Sequence, residues 1–282
     1  MRNVLAGLLT LGITCAARGE IRAGRFHAAS LDQDVAYSVQ LPPSYGSGDK
    51  RYPVVYVLHG LFESQAFWER RGLAAIVDAL WAKGDLAELV IVAVDGGNSF
   101  FVNGRAGRYE DLVTKDIVAE IESRYRVADA RAGRGLLGVS MGGYAALRLA
   151  LTHSQAYAAV ATHSAMLLTR LPTREDGAGA WHMAAFHGVF GDPIDPALWT
   201  ANDPLALAER APATGLPALS FDCGAQDRYG LFAGNQEFHK RLAARGVPHQ
   251  FALAPGDHGY EFVQSRLPLS LGFLAKALAG RR

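Results

Sequence analysis

Gly138-Val139-Ser140-Met141-Gly142 sets a serine between two glycines, directly after the apolar run Gly135-Leu136-Leu137. A strand that turns sharply into a helix forces such a serine into strained backbone geometry, and flanking residues without Cβ let the chain pass close by. The chemistry open to Ser140 is nucleophilic attack on a carbonyl carbon. Its hydroxyl is a poor nucleophile at neutral pH, so it needs a base within hydrogen-bond reach and a carboxylate that holds the base in the right tautomer. Asp227 lies in Cys223-Gly224-Ala225-Gln226-Asp227, just past a predicted strand ending near Phe221. His258 lies in Pro255-Gly256-Asp257-His258-Gly259, just past one ending near Leu253. Serine, then acid, then histidine is an order in which such triads occur, and open parallel sheets put their sites at the carboxyl ends of strands.

Rivals exist for each role. Asp222 is the closest competitor to Asp227, but it falls in or at the strand, so strand-end placement favours Asp227. Asp257 adjoins His258, and sequence neighbours rarely meet in triad geometry. His239 sits in a predicted amphipathic helix as a surface residue, while His153, His163, His182, His187 and His249 occupy no comparable glycine turn after the acid. Attack on a carbonyl also builds charge on its oxygen, which calls for backbone donors. The N–H of Met141, after the serine, supplies one, and the Leu61 N–H in His59-Gly60-Leu61-Phe62, after an early strand, supplies the other. Read blandly, that segment is an ordinary tight turn. Gly133-x-Gly135-x-x-Gly138 imitates a dinucleotide fingerprint, but its glycines precede and enter the strand, and no Asp or Glu follows from Val139 to Arg174. No metal-ligand spacing is present: His182 and His187 stand five apart without the glutamate of a zinc helix.

These residues need a sheet to hold them. Strands are predicted at Val35–Leu41, Tyr52–Leu58, Leu89–Val94, Gly135–Val139, Ala158–Ala161, Ala218–Phe221 and Gln250–Leu253, from β-branched and apolar runs closed by turn residues. Helical spacing marks Leu73–Lys83, Asp111–Tyr125, about Gly143–Thr152, about Gln236–Arg245 and about Leu267–Ala279. That alternation implies an α/β fold with a mostly parallel central sheet and helices on both faces. From about 167 to 200 the rhythm breaks, with Pro172, Gly177, Gly188, Gly191, Pro193 and Pro196 among Trp181, Phe186, Phe190 and Trp199. This stretch reads as an excursion above the sheet, either an irregular loop packing its own aromatics or a substrate lid.

With 282 residues, half of them hydrophobic, and a net charge of +1, the chain suits one large domain spanning 18–282 and gives no argument for nucleic acid. A small neutral or mixed-character partner fits better. Arg2, the apolar run Val4 to Ile13 and the small residues Thr14-Cys15-Ala16-Ala17 have the layout of a secretory signal peptide over 1–17. The run is too short to span a membrane, so the expectation is export to the periplasm or beyond, without stable membrane insertion. Gly12 stands where a lipoprotein signal usually has Leu, which argues against lipidation of Cys15. After cleavage Cys223 is the sole thiol, so no internal disulfide forms.

Leu58-His59-Gly60-Leu61, Asp95-Gly96-Gly97-Asn98-Ser99, Tyr109-Glu110-Asp111, Gly138 to Gly143, Phe190-Gly191-Asp192, Gly224-x-x-Asp227 and Gly256-Asp257-His258 occur in that order. The series resembles the esterase D/feruloyl esterase/mycolyltransferase group of α/β-hydrolases across nearly the whole mature chain. The resemblance implies the α/β-hydrolase fold and a carboxylic-ester hydrolase working through Ser140, Asp227 and His258 without a cofactor. The S-formylglutathione hydrolase branch usually carries a Cys shortly after the Gly-Leu turn and is cytosolic. Here Phe62-Glu63-Ser64 follows instead, which argues against that branch. Members acting on feruloylated sugars, aliphatic esters, siderophore lactones or acyl-trehalose acceptors share the motifs, so the ester is left as a small molecule with an aromatic acyl or sugar-linked part among the options. Phe62, Trp68, Trp181, Trp199 and Tyr260 are candidates for lining the acyl pocket. Two alternatives to hydrolysis stand: transfer of the acyl group to a sugar or other alcohol, and a noncatalytic binding protein on the same fold.

Overall fold

The computed structural model describes residues 18–171 and 180–279. The leader expected over 1–17 lies outside them, as do residues 172–179 of the excursion. Strands β1 (Glu20–Ala28), β2 (Gln33–Leu41), β3 (Val54–Leu58), β4 (Val90–Val94), β7 (Arg134–Val139), β8 (Ala159–His163), β9 (Ala218–Gly224) and β10 (Gln250–Ala254) form one sheet in the order β1-β2-β4-β3-β7-β8-β9-β10. The six strands from β4 to β10 in this order run parallel, β2 pairs antiparallel with β4, and β1 pairs antiparallel with β2 at the edge. A two-residue pair, β5 (Asn103–Gly104) and β6 (Gly107–Arg108), lies apart from it.

Residue alternation in β3 shows why the sheet is covered twice. Val54, Tyr56 and Leu58 enter one core with α4 (Ile117–Arg124), α5 (Met141–Thr152) and α9 (Leu231–Ala244). Val55 and Val57 enter another with α1 (Phe67–Arg70), α2 (Leu73–Lys83) and α10 (Tyr260–Ala279). Every residue of β3, β4 and β8 is buried, which is what unbroken apolar runs in a parallel sheet imply.

Three elements differ from the sequence expectation. The strand β1 has no apolar run; its Glu20, Arg22 and Arg25 suit an exposed edge, where charge discourages pairing with another chain. The helix expected at Asp111–Tyr125 is split into α3 (Tyr109–Asp111), a π-helical turn at Leu112–Asp116, and α4. From Ala180 the described part of the excursion is mostly helical, with α6 (Ala180–Phe190) and α7 (Pro196–Asn202), and α8 (Pro204–Ala208) follows directly after it. Prolines here start helices instead of breaking them: Pro196 and Pro204 occupy first turns, and Asp195 and Asp203 accept the Ala197 and Leu205 amides at 2.9 and 3.0 Å. No helix among the described residues is long and apolar enough to cross a membrane.

Candidate active site

Between β7 and α5 the backbone at Ser140 takes φ 55° and ψ −113°, an unfavourable conformation for a residue with a Cβ. Neighbouring backbone holds it: the Ser140 N–H donates to the His163 carbonyl at 3.0 Å, and the Ser140 carbonyl accepts from Tyr144 and Met166 at 3.0 and 2.9 Å. Glycine is a steric necessity on both sides. A Cβ on Gly138 would fall 2.2 Å from the Gly142 carbonyl oxygen, and one on Gly142 would fall 2.0 Å from that of Leu58.

The loops after β9 and β10 bring Asp227 and His258 to this serine. His258 Nε2 lies 3.0 Å from Ser140 Oγ, and His258 Nδ1 lies 2.7 Å from Asp227 Oδ2. Asp227 is buried; its Oδ1 accepts the Tyr229 amide at 2.9 Å, and the Cys223 thiol points at Oδ2 from 3.6 Å. Burial first, and the Asp227 carboxylate second, push the Cys223 pKa up to about 12, so the thiol stays protonated and remains a donor. The Tyr229 ring meets the His258 ring edge-on, with centroids 4.9 Å apart. Asp222 takes no part in this series. It ends in the strand and pairs with His163 and Arg266.

Asp257 fastens the two loops together. Its Oδ1 accepts the Arg228 and His258 amides at 2.8 and 2.6 Å, and its other oxygen pairs with the Arg228 guanidinium. The Arg228 bond, then the amide bond from His258, draw its pKa down to about 2. Gln226 and Gly256 add a reciprocal pair: the Gln226 amide donates to the Gly256 carbonyl at 2.9 Å, and the Gly256 amide donates to Gln226 Oε1 at 2.8 Å.

On the opposite side is the turn after β3. His59 is wholly buried; its Nδ1–H donates to the Gly60 carbonyl at 2.8 Å while Nε2 accepts the Gly96 amide at 3.0 Å. These two bonds fix the ring and hold the Gly60-Leu61 peptide. Asn98 Oδ1 accepts the Phe62 amide at 2.7 Å, with Phe62 at φ 63°. The Leu61 amide has no backbone or side-chain acceptor among the described residues. Met141 is the first residue of α5, so helix geometry gives its amide no intrahelical acceptor.

These groups border a cleft of about 840 Å³. Leu61, Phe62 and Tyr260 line it, with Met166, Leu167, Leu168, Phe186, Leu231, Arg170 and Arg228. Two expected pocket residues belong elsewhere. Trp68 is 1% exposed in the core, donating Nε1–H to Gln40 at 2.8 Å. Trp199 packs against Tyr144, Phe186 and Phe190. Both were candidates because aromatic type does not distinguish core from pocket wall. Trp181 lies in α6, and its side chain is outside the described residues. His239 is not a plain surface residue: its Nδ1 is 2.7 Å from His249 Nε2, and its ring stacks on Phe251. Sequence reasoning overlooked His59, Asn98 and the apolar wall at 166–168. Nothing marks His59 as more than a turn residue until Gly96 is seen to meet its far nitrogen.

The parallel sheet, the strained serine at its strand-to-helix turn and the loops at its strand ends define an α/β-hydrolase. Comparison with known proteins narrows the class. The family model described as "Putative esterase" matches residues 28–274, and the chain belongs to this esterase family. Esterase Rv1288 of Mycobacterium tuberculosis is 27% identical over 279 residues, covering 89% of this chain and 58% of the relative. The chain thus spans little more than half the length of that relative. The S-formylglutathione hydrolase of Paracoccus denitrificans is 25% identical over 260 residues, covering 86% of this chain and 88% of that one. A solved ferulic acid esterase superposes with a TM-score of 0.78 at 26% identity, covering 93% of this chain and 99% of the other.

Proposed function

We propose that this protein is an exported serine esterase with Ser140 as nucleophile, His258 as general base and acid, and Asp227 as the group that orients His258. The observation that carries the reading is the unbroken series Asp227–His258–Ser140, at 2.7 and 3.0 Å, at the edge of a cleft. His258 Nε2 takes the Ser140 proton as Oγ attacks the ester carbonyl carbon. The Leu61 and Met141 amides donate to the oxyanion, each worth about 3 to 4 kcal/mol in the transition state. Collapse expels the alcohol, which receives the proton from His258. Water then attacks the acyl-enzyme by the same route, and Ser140 is restored.

An acyl group with apolar, aromatic character fits the wall formed by Leu61, Phe62, Met166, Leu167, Phe186 and Tyr260. The likeness to a ferulic acid esterase supports that class of substrate. Export rests on the Arg2, Val4–Ile13 and Thr14–Ala17 pattern of the sequence. Ser140→Ala is expected to reduce turnover of a short p-nitrophenyl ester by about a millionfold, with the melting temperature little changed. Wild-type turnover by that variant would remove Ser140 from the mechanism. Adding a sugar acceptor during turnover tests acyl transfer: unchanged release of free acid supports hydrolysis, and diversion of the acyl group to the sugar opposes it.

A further inference from the structure

Four polar side chains that this mechanism does not use meet among β8, β9 and α10. His163, Asp222 and Ser270 are at most 7% exposed. His163 Nδ1–H donates to Asp222 Oδ1 at 2.8 Å, and His163 Nε2 lies 3.0 Å from Ser270 Oγ. The Ser270 hydroxyl is also 3.0 Å from the Leu267 carbonyl, and Arg266 Nε–H donates to Asp222 Oδ2 at 3.0 Å. The arrangement repeats the serine–histidine–carboxylate series of the active site in a place too buried to meet substrate. Buried ionic groups add little to stability compared with apolar residues of equal volume. What they add is fixed geometry, provided that every member is satisfied.

Where the four are anchored identifies the geometry being fixed. His163 ends β8, and its carbonyl accepts the Ser140 amide. Asp222 is on β9, the strand that leads into Asp227, and its carbonyl accepts the Ser164 amide at 2.8 Å. Arg266 and Ser270 are on α10, which starts two residues after His258. The cluster therefore contains at least one residue from the seat of the nucleophile, from the strand before the acid and from the helix after the base. Both Ser140 and Ser164, at φ 55° and 44°, are held in conformations that persist only when the surroundings over-determine them.

We propose that His163, Asp222, Ser270 and Arg266 are positioning residues, a buried clamp that sets the spacing of Ser140, Asp227 and His258. The inference rests on the triad reading above. Its role is exerted on reaction geometry rather than on substrate affinity, and a misplacement of about 1 Å costs such chemistry up to about a hundredfold in rate.

Ser270→Ala removes one hydroxyl and leaves the helix intact; Asp222→Asn weakens the centre of the cluster. Both are compared with wild type well below their melting temperatures, by turnover of a p-nitrophenyl ester and by the rate at which a fluorophosphonate modifies Ser140. Ser270→Ala is expected to lower kcat and the modification rate about tenfold, with KM within a factor of about two, and Asp222→Asn to lower them further. Unchanged kcat and modification rate in Ser270→Ala, or a rise in KM alone, would overturn the clamp. If Asp222→Asn does not fold, the Ser270 comparison decides by itself. Failure of the wild-type protein to be modified at Ser140 would instead overturn the triad reading, so the two failures are distinguishable.

Discussion

Ser140, Asp227 and His258 are separated by 87 and 31 positions, and their roles depend on which side chain reaches which. Residue type and order sufficed to nominate all three. Type and order alone leave Asp222 as a rival to Asp227; strand-end placement is what favours Asp227 in the sequence. The structure gives Asp222 to His163 and leaves Asp227 facing His258. Replacement of Asp227 by Asn is therefore expected to keep the shape of the site but reverse the tautomer preference of His258, lowering kcat about ten-thousandfold. Steady-state kinetics would check this: a loss of tenfold or less would mean that another carboxylate orients the base. His59 illustrates the opposite case, a residue whose role has no local signal. Its two ring nitrogens are fixed by Gly60 and by Gly96, a contact across 37 positions that no spacing rule encodes.

At the scale of elements, long apolar runs and turn chemistry made the parallel strands and their flanking helices legible. The edge strand β1 escaped because its exposed alternation carries charge instead of a buried face, and α6 to α8 escaped because proline and glycine were read as loop formers. The loops bearing Asp227 and His258 depend on each other through Asp257, whose pKa is drawn down to about 2. A carboxyl group with a folded pKa below its unfolded value stabilises the fold above the unfolded pKa, and the benefit disappears as pH falls through the folded value. Asp257→Asn should thus melt below wild type at pH 6, with the gap closing as pH drops from about 4 toward about 2. Thermal scans across that range provide the check; a gap independent of pH would show that charge on Asp257 contributes nothing to the clasp.

For the whole molecule, near-zero net charge and two apolar cores on either side of one sheet describe a scaffold whose strand-end loops border one cleft. The candidate triad could be nominated from sequence because strand ends, glycine turns and chain order are local features. The cleft wall could not: Trp68, Trp199, Phe186 and Tyr260 are alike in type, and tertiary packing alone puts the first two in the core and the others beside the cleft. Export belongs to this scale too. Expression of the full chain in a Gram-negative host should yield periplasmic protein starting shortly after Ala17, as read by N-terminal sequencing; cytoplasmic protein retaining residues 1–17 would contradict it.

The central claim is that Ser140 carries the acyl group. Peptide mass spectrometry of wild-type protein treated with a fluorophosphonate tests it most directly. The account predicts one adduct per chain, on the peptide containing Ser140, abolished in Ser140→Ala and strongly slowed in His258→Ala. An unmodified Ser140 in enzyme that still hydrolyses esters, or an adduct on another serine, would contradict it.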